Sequence, residues 1–266
     1  MRWQQTALKV ATECVSLARL PFSKKNGLRI LTYHSIGSTS YEDYVGLFTV
    51  SIESFIQHMD VIASMQSVPL KTMSIPQSEL KIAVTFDDGY SDNLYIAAPL
   101  LAARNIPYTV FVSTGFVKNK TKGFLNPSEL KQLSIATGAT IGAHSDRHVD
   151  LSLCNKKELK VELDDSKKYL EDLIGKAVTE FSYPYGIADM RVRDAVHEAG
   201  YQVAACSRFD VNKPDRDLLM LNRCVILSSD TLRAFQQKLS GDYDWARWRM
   251  KDPLYIKDAN LVDRKM

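Results

Sequence analysis

Ile82-Ala83-Val84-Thr85-Phe86-Asp87-Asp88-Gly89-Tyr90-Ser91-Asp92 carries the reading of the fold. Its first five residues form an apolar, β-favouring run, and Asp87, Asp88 and Gly89 stop it abruptly. Two adjacent carboxylates at the end of a buried strand are costly unless they are paired, hydrated or on a metal. The open ends of parallel strands are also where α/β proteins place their chemistry. Taken alone, the same residues equally make a polar strand-to-helix turn, with Asp88 or Ser91 as the cap.

Outward from this stretch, strands and helices alternate. Strands are expected at 28–33, ending at His34, then at 108–112, at 140–143, delivering His144, and at 180–183, running into Pro184-Tyr185-Gly186. Two more are expected at 201–206 and about 220–226. Between them lie helical signals. Ser51 caps a stripe of Phe55, Met59 and Ile62, and Asn126 with Pro127 and Glu129 opens a second helix. Asn155 with Glu158 opens a third, whose stripe of Leu159, Leu163, Ser166, Leu170 and Ile174 stops at Gly175. The Glu and Lys residues of that helix read as a solvated face. Pro99 should bend a helix around 94–104. About seven alternations predict a parallel α/β architecture. Several strand ends must converge on one site, so closure into a barrel is expected.

A chain of 266 residues fits one large domain with short appendages. The expected division is an N-terminal amphipathic helix and linker at 1–27, a catalytic domain at 28–240 and an aromatic-basic tail at 241–266. A net charge of +3 without a basic stripe argues against nucleic acid as a partner. No run of about 18 apolar residues predicts a transmembrane helix. Lys9, Glu13 and Arg19 interrupt the N-terminus, so it lacks the continuous apolar stretch of a secretory signal. Its helix is read either as packing on its own domain or as docking on a membrane surface or a protein partner. The tail, with Tyr243, Trp245 and Trp248, has the same two readings. Cys14, Cys154, Cys206 and Cys224 are too widely spaced for a disulfide framework or zinc knuckle. Free thiols and the missing signal together predict a cytoplasmic protein.

His144-Ser145-Asp146-Arg147-His148 supplies the second half of the chemistry. Histidines four apart share one side if the stretch makes a helical turn. Two imidazoles and one carboxylate, with positions left for water, form a hydrolytic zinc arrangement. The pair alone is a weak signal; beside Asp87-Asp88 at a neighbouring strand end it is a strong one.

Thr85-Phe86-Asp87-Asp88-Gly89, His144-Ser145-x-x-His148 and Tyr183-Pro184-Tyr185-Gly186 resemble the motifs of the polysaccharide deacetylases (carbohydrate esterase family four, the NodB-homology domain). The resemblance covers about residues 28–226. It implies a distorted (β/α)7 barrel that hydrolyses an N-acetyl, sometimes O-acetyl, group on a sugar. It also implies a divalent metal, Zn²⁺ foremost, with Co²⁺, Ni²⁺ or Mn²⁺ acceptable to the same donors. Asp88, His144 and His148 would be the metal ligands and Asp87 the general base. The Tyr185 backbone N–H would hold the oxyanion.

Two positions depart from the family pattern. Ser182 stands where many members place an arginine that braces the base, and no late Leu-x-His supplies a general acid. Leu31-Thr32-Tyr33-His34 resembles a branch containing the poly-N-acetylglucosamine deacetylases. There the barrel order is permuted and an early Tyr-His supplies the acid, which makes His34 the candidate. His58 and His197 lie in helical patterns. Arg223 is expected to replace the missing arginine by pairing with Asp87. The implied substrate is an N-acetylated sugar or glycan. A deformylase, an O-acetyl esterase or another amide hydrolase would use the same site, and a sugar-binding protein on a decayed barrel is the non-enzymatic alternative.

Overall fold

The computed structural model describes residue 12, residues 26–38, 43, 45–71 and 78–249. Apart from Thr12, the expected N-terminal helix lies outside the described residues, as does the end of the tail.

Seven parallel strands form the central sheet: β1 (Gly27–Tyr33), β2 (Leu80–Phe86), β3 (Tyr108–Val112), β4 (Ala139–Ala143), β5 (Glu180–Ser182), β6 (Val203–Ala205) and β7 (Cys224–Val225). Their spatial order is β6-β5-β4-β3-β2-β1-β7, so each of the first six strands lies beside its predecessor. The circuit is completed through the segment entering β7. Leu221 bridges Ala205 of β6, with Cys206 N donating to Leu221 O and Leu221 N donating to Ala204 O. Cys224 and Val225 then pair with Leu31 and Thr32 of β1. The result is the expected distorted barrel, although its last strand is shorter than the apolar run 220–226 suggested. Arg223 lies just before β7 rather than on it.

The strands are buried on both faces, as parallel strands covered by helices must be. Leu28, Ile30, Ala83, Phe111, Val203, Ala205 and Leu221 fill the barrel interior. Leu31, Tyr33, Ile82, Val84, Phe86, Val110 and Val112 pack outward under the helices. Most cap signals act as expected. Ser51 Oγ accepts from Ser54 N, and both asparagines make full capping boxes with Glu129 and Glu158. Gly175 closes its helix at φ 68°, in the left-handed region that glycine enters without Cβ strain. Around Pro99 the helix divides into a wide π-type turn, Asn93–Ala97, followed by Ala98–Ala102. Proline has no N–H to bond back into the preceding turn, which accounts for the local change of pitch. A second wide turn, Val161–Asp165, interrupts the helix that opens at Lys156.

Residues 241–247 remain on the barrel. Arg29, pointing outward from β1, makes a fully buried two-pronged ion pair with Asp244 at 2.7 and 3.0 Å. Tyr243 and Ala246 are buried, and Arg247 reaches Asp210. Among the described residues, no helix is long and apolar enough to cross a membrane.

Candidate active site

Strand register assembles the site. Tyr33 is level with Phe86 across β1 and β2, Phe86 with Val110, Val112 with Ala143, and Ala143 with Phe181. The residues that follow each strand therefore emerge at one rim. His34 leaves β1, Asp87 and Asp88 leave β2, His144 leaves β4, and Tyr183 to Gly186 leave β5, whose last residue is Ser182. A cavity of about 340 Å³ at this rim is lined by His34, Asp87, Asp88, His144, His148 and Tyr185, with Asp43, Phe48, Tyr90 and Phe116 as walls.

Asp87 and Asp88 diverge because the chain turns between them. Asp87 N still bonds Tyr33 O in sheet fashion at 3.0 Å, whereas Asp88 has φ 73°. Asp88 Oδ1 comes within 3.4 Å of His144 Nε2 and 3.2 Å of His148 Nε2. The ligand atoms of these three residues all lie within 4.8 Å of one another. Asp88 Oδ1 is buried and accepts no hydrogen bond. His144 Nδ1 is 2.7 Å from Ser182 O, and a carbonyl only accepts, so Nδ1 carries the proton and the Nε2 lone pair faces inward. An orphaned carboxylate oxygen facing inward-turned imidazole nitrogens fits a divalent cation.

Burial pushes the His144 imidazole down to about 4, outweighing the upward pull of Asp87, so it is neutral and able to ligate near pH 7. Burial alone would raise both aspartates. It is outweighed at Asp88 by the surrounding histidines, His148 foremost, and at Asp87 by Arg223 and then His144. Both carboxyls are held below the usual carboxylate range.

The two histidines do not share a helical turn. Ser145 (φ 62°) and His148 (φ 56°) are left-handed residues of an irregular loop, and Ser145 Oγ accepts from His148 N. The condition for face-sharing is therefore not met, and the imidazoles converge because the loop doubles back. Arg223 enters the barrel beside Phe111 and grips Asp87 with both terminal nitrogens, at 2.7 and 2.8 Å. The wholly buried guanidinium also donates to Cys206 O and Ser182 Oγ.

His34 lines the cavity with its ring 4.6 Å from that of Phe48, and its buried Nδ1 makes no hydrogen bond. Asn93 Nδ2 fixes its carbonyl at 2.8 Å. His58 instead stacks on Phe235 and bonds Tyr33 OH, and His197 is exposed on its helix. Tyr185 sits at φ 59°, ψ 4°, with its exposed ring 4.8 Å from that of His148.

Residues 74–204 match the family model described as polysaccharide deacetylase. That stretch, just under half of the chain, is a polysaccharide deacetylase domain. YxkH of Bacillus subtilis (strain 168), which carries the polysaccharide deacetylase name, is 26% identical over 204 residues, 74% of this chain and 70% of that protein. The peptidoglycan-N-acetylglucosamine deacetylase of Bacillus cereus is 31% identical over 137 residues, 51% of this chain and 61% of that protein. Among solved structures, the Streptococcus pyogenes deacetylase PplD in complex with acetate superposes with a TM-score of 0.70 at 23% identity, over 80% of this chain and 98% of that one. IcaB from Ammonifex degensii does so at 0.69 and 22%, over 83% and 98%. These last two likenesses concern the fold.

Within this site the serine at 182 makes room for the arginine from 223. Ser182 Oγ accepts from Arg223 Nη2 at 2.8 Å and donates to Asp87 Oδ2 at 3.3 Å. In the structure Asp43 accepts from Leu47 N, Phe48 N and Thr49 Oγ1, which seats Phe48 against His34. An aspartate four to six residues ahead of a loop's return is the signal that would have found it.

Proposed function

We propose that this polysaccharide deacetylase is a metal-dependent hydrolase that removes the N-acetyl group from an amino sugar in a polysaccharide, oligosaccharide or lipid-linked glycan. One observation carries the reading: Asp88 meets His144 and His148 through their ligand atoms, beside a second carboxylate tied to an arginine. Asp88, His144 and His148 would hold the ion, and two nitrogens with one oxygen suit Zn²⁺, with Co²⁺, Ni²⁺ or Mn²⁺ as substitutes. When bound, the ion supplies Lewis acidity and lowers the pKa of a water to about 7.

The chain's own groups divide the remaining work. Asp87, kept ionised by Arg223, takes the proton of the attacking water. The Tyr185 N–H stabilises the carbonyl oxygen as it becomes negative; one such donor is usually worth about 10²–10³ in rate. His34 protonates the amine nitrogen as the C–N bond breaks, leaving acetate and a free amine on the sugar.

The test is product analysis on N-acetylglucosamine oligomers and on N-formylated and O-acetylated sugars, with chelated and Zn²⁺- or Co²⁺-restored protein. Acetate and amine released together, and only with metal, are expected. Formate would point to a deformylase, and acetate without amine to an O-acetyl esterase. A protein that binds metal but releases none of these would be a sugar-binding barrel.

A further inference from the structure

Glu162 is wholly buried on a helix where Glu158 and Asp172 are exposed. It was expected on a solvated face. Instead it leaves the helix within the wide turn Val161–Asp165 and enters the loop between the two histidines. Its Oε2 accepts from Asp146 N at 3.0 Å and from Arg147 N at 2.9 Å, and its Oε1 accepts from Arg147 Nε. Two successive amides pointing at one carboxylate form a nest. The other side of the loop is held separately. Thr114 N donates to Ser145 O and Gly115 N to Asp146 O, and a Cβ on Gly115 would lie 2.7 Å from that oxygen.

We propose that Glu162 is a positioning residue for His144 and His148, a reading that rests on their role as metal ligands. The loop contains two left-handed residues that are not glycine, Ser145 and His148. Such conformations persist only where the surroundings over-determine them. The helix 114–118 takes the loop's carbonyls, and Glu162 takes its amides. With both held, the doubling-back that brings the two Nε2 atoms to Asp88 is set before any ion arrives. Arg147 is half out in solvent and serves mainly to orient Glu162.

The experiment measures the Zn²⁺ dissociation constant by competition with a chromophoric chelator, together with melting of the metal-free protein. The proteins are wild type, Glu162→Ala, Glu162→Gln, Arg147→Ala and Glu162→Gln/Arg147→Ala. Outer partners of metal ligands typically cost about 10–100-fold in affinity when removed, which is the loss expected for Glu162→Ala. Arg147→Ala should change little. Glu162→Gln alone should bind weakly, because its amide N–H₂ opposes the guanidinium. With Arg147→Ala added, the glutamine oxygen can accept both backbone amides and affinity should return. Should Glu162→Ala fail to fold, the glutamine pair decides alone. Affinities equal to wild type in the folded variants overturn the proposal, even if melting temperatures fall, because Glu162 would then only stabilise the fold. A wild-type protein that binds no Zn²⁺ overturns the metal reading itself and takes this inference with it.

Discussion

Arg223 meets Asp87 end on, Nη1 with Oδ1 at 2.7 Å and Nη2 with Oδ2 at 2.8 Å, across 136 positions of sequence. A two-pronged pair of this kind engages both carboxylate oxygens and fixes their plane. It is buried, so its members depend on each other: removing one partner leaves an uncompensated charge, at a cost of about 3–5 kcal/mol. The pair also separates two neighbouring aspartates, one bound to an arginine and the other turned towards two imidazoles.

Arg223→Met should move the acid limb of the kcat/KM profile to higher pH. Asp87 is held below the usual range chiefly by Arg223 acting against burial, so removing the arginine lets the carboxyl rise. The sign for stability follows. A depressed folded value stabilises the protein above the unfolded value of about 3.9, and this is lost as pH falls through the folded value. Urea unfolding should find the variant weaker at pH 7, with the gap closing at acid pH. An acid limb that stays in place would mean Arg223 does not set the ionisation of Asp87.

Asp87→Asn should retain metal and lose about 10²–10⁴ in turnover, the usual contribution of a positioned base. His148→Ala should lose the metal itself. Metal content by elemental analysis, read beside acetate release, separates the two. Near-wild-type turnover in Asp87→Asn would remove Asp87 as the base.

His34→Gln should leave metal content unchanged and slow amide cleavage by about 10²–10⁴. An aryl acetate needs no proton on its leaving group, so its hydrolysis should be far less affected. Equal losses on both substrates would assign His34 a structural role instead.

Gly186→Ala should impair both folding and turnover. Gly186 has φ +68°, and an added Cβ would lie 2.2 Å from the Cβ and 2.5 Å from the N of Ser207. Forcing a side chain into that region costs about 1–2 kcal/mol before the clash is counted. Tyr185→Ala keeps the backbone N–H and should retain turnover within about tenfold, since loss of a donor costs about 10²–10³. A larger loss in Tyr185→Ala would shift the role from the Tyr185 backbone to its ring.

The parts of this molecule that were legible in sequence are those governed by local rules. Asn126 and Asn155 announce their helices because capping chemistry acts within four residues. The apolar runs ending at Asp87, His144 and Tyr185 mark the strand ends that reach the site. What stayed hidden depends on contacts distant in sequence. Glu162 lies beside a stripe of leucines and shares its helix with exposed acids, and only the incoming loop makes it internal. The convergence of His144 and His148 has its cause in left-handed turns at serine and histidine, residue types that do not advertise that conformation. Asp43 acts through backbone amides, which leave no side-chain pattern to read.

The Arg29–Asp244 pair ties the first barrel strand to a segment 215 positions later. During synthesis Arg29 precedes the strands that pair beside it, so most of the sheet can form with this cation still uncovered. Its carboxylate partner is made only after every strand of the sheet. Contacts of such long sequence separation form slowly and leave surface exposed until they do. Closure of the barrel against its C-terminal segment is therefore a late event in the life of each molecule. A chain truncated before Asp244 would retain every residue of the candidate site and lack the counter-charge for its first strand.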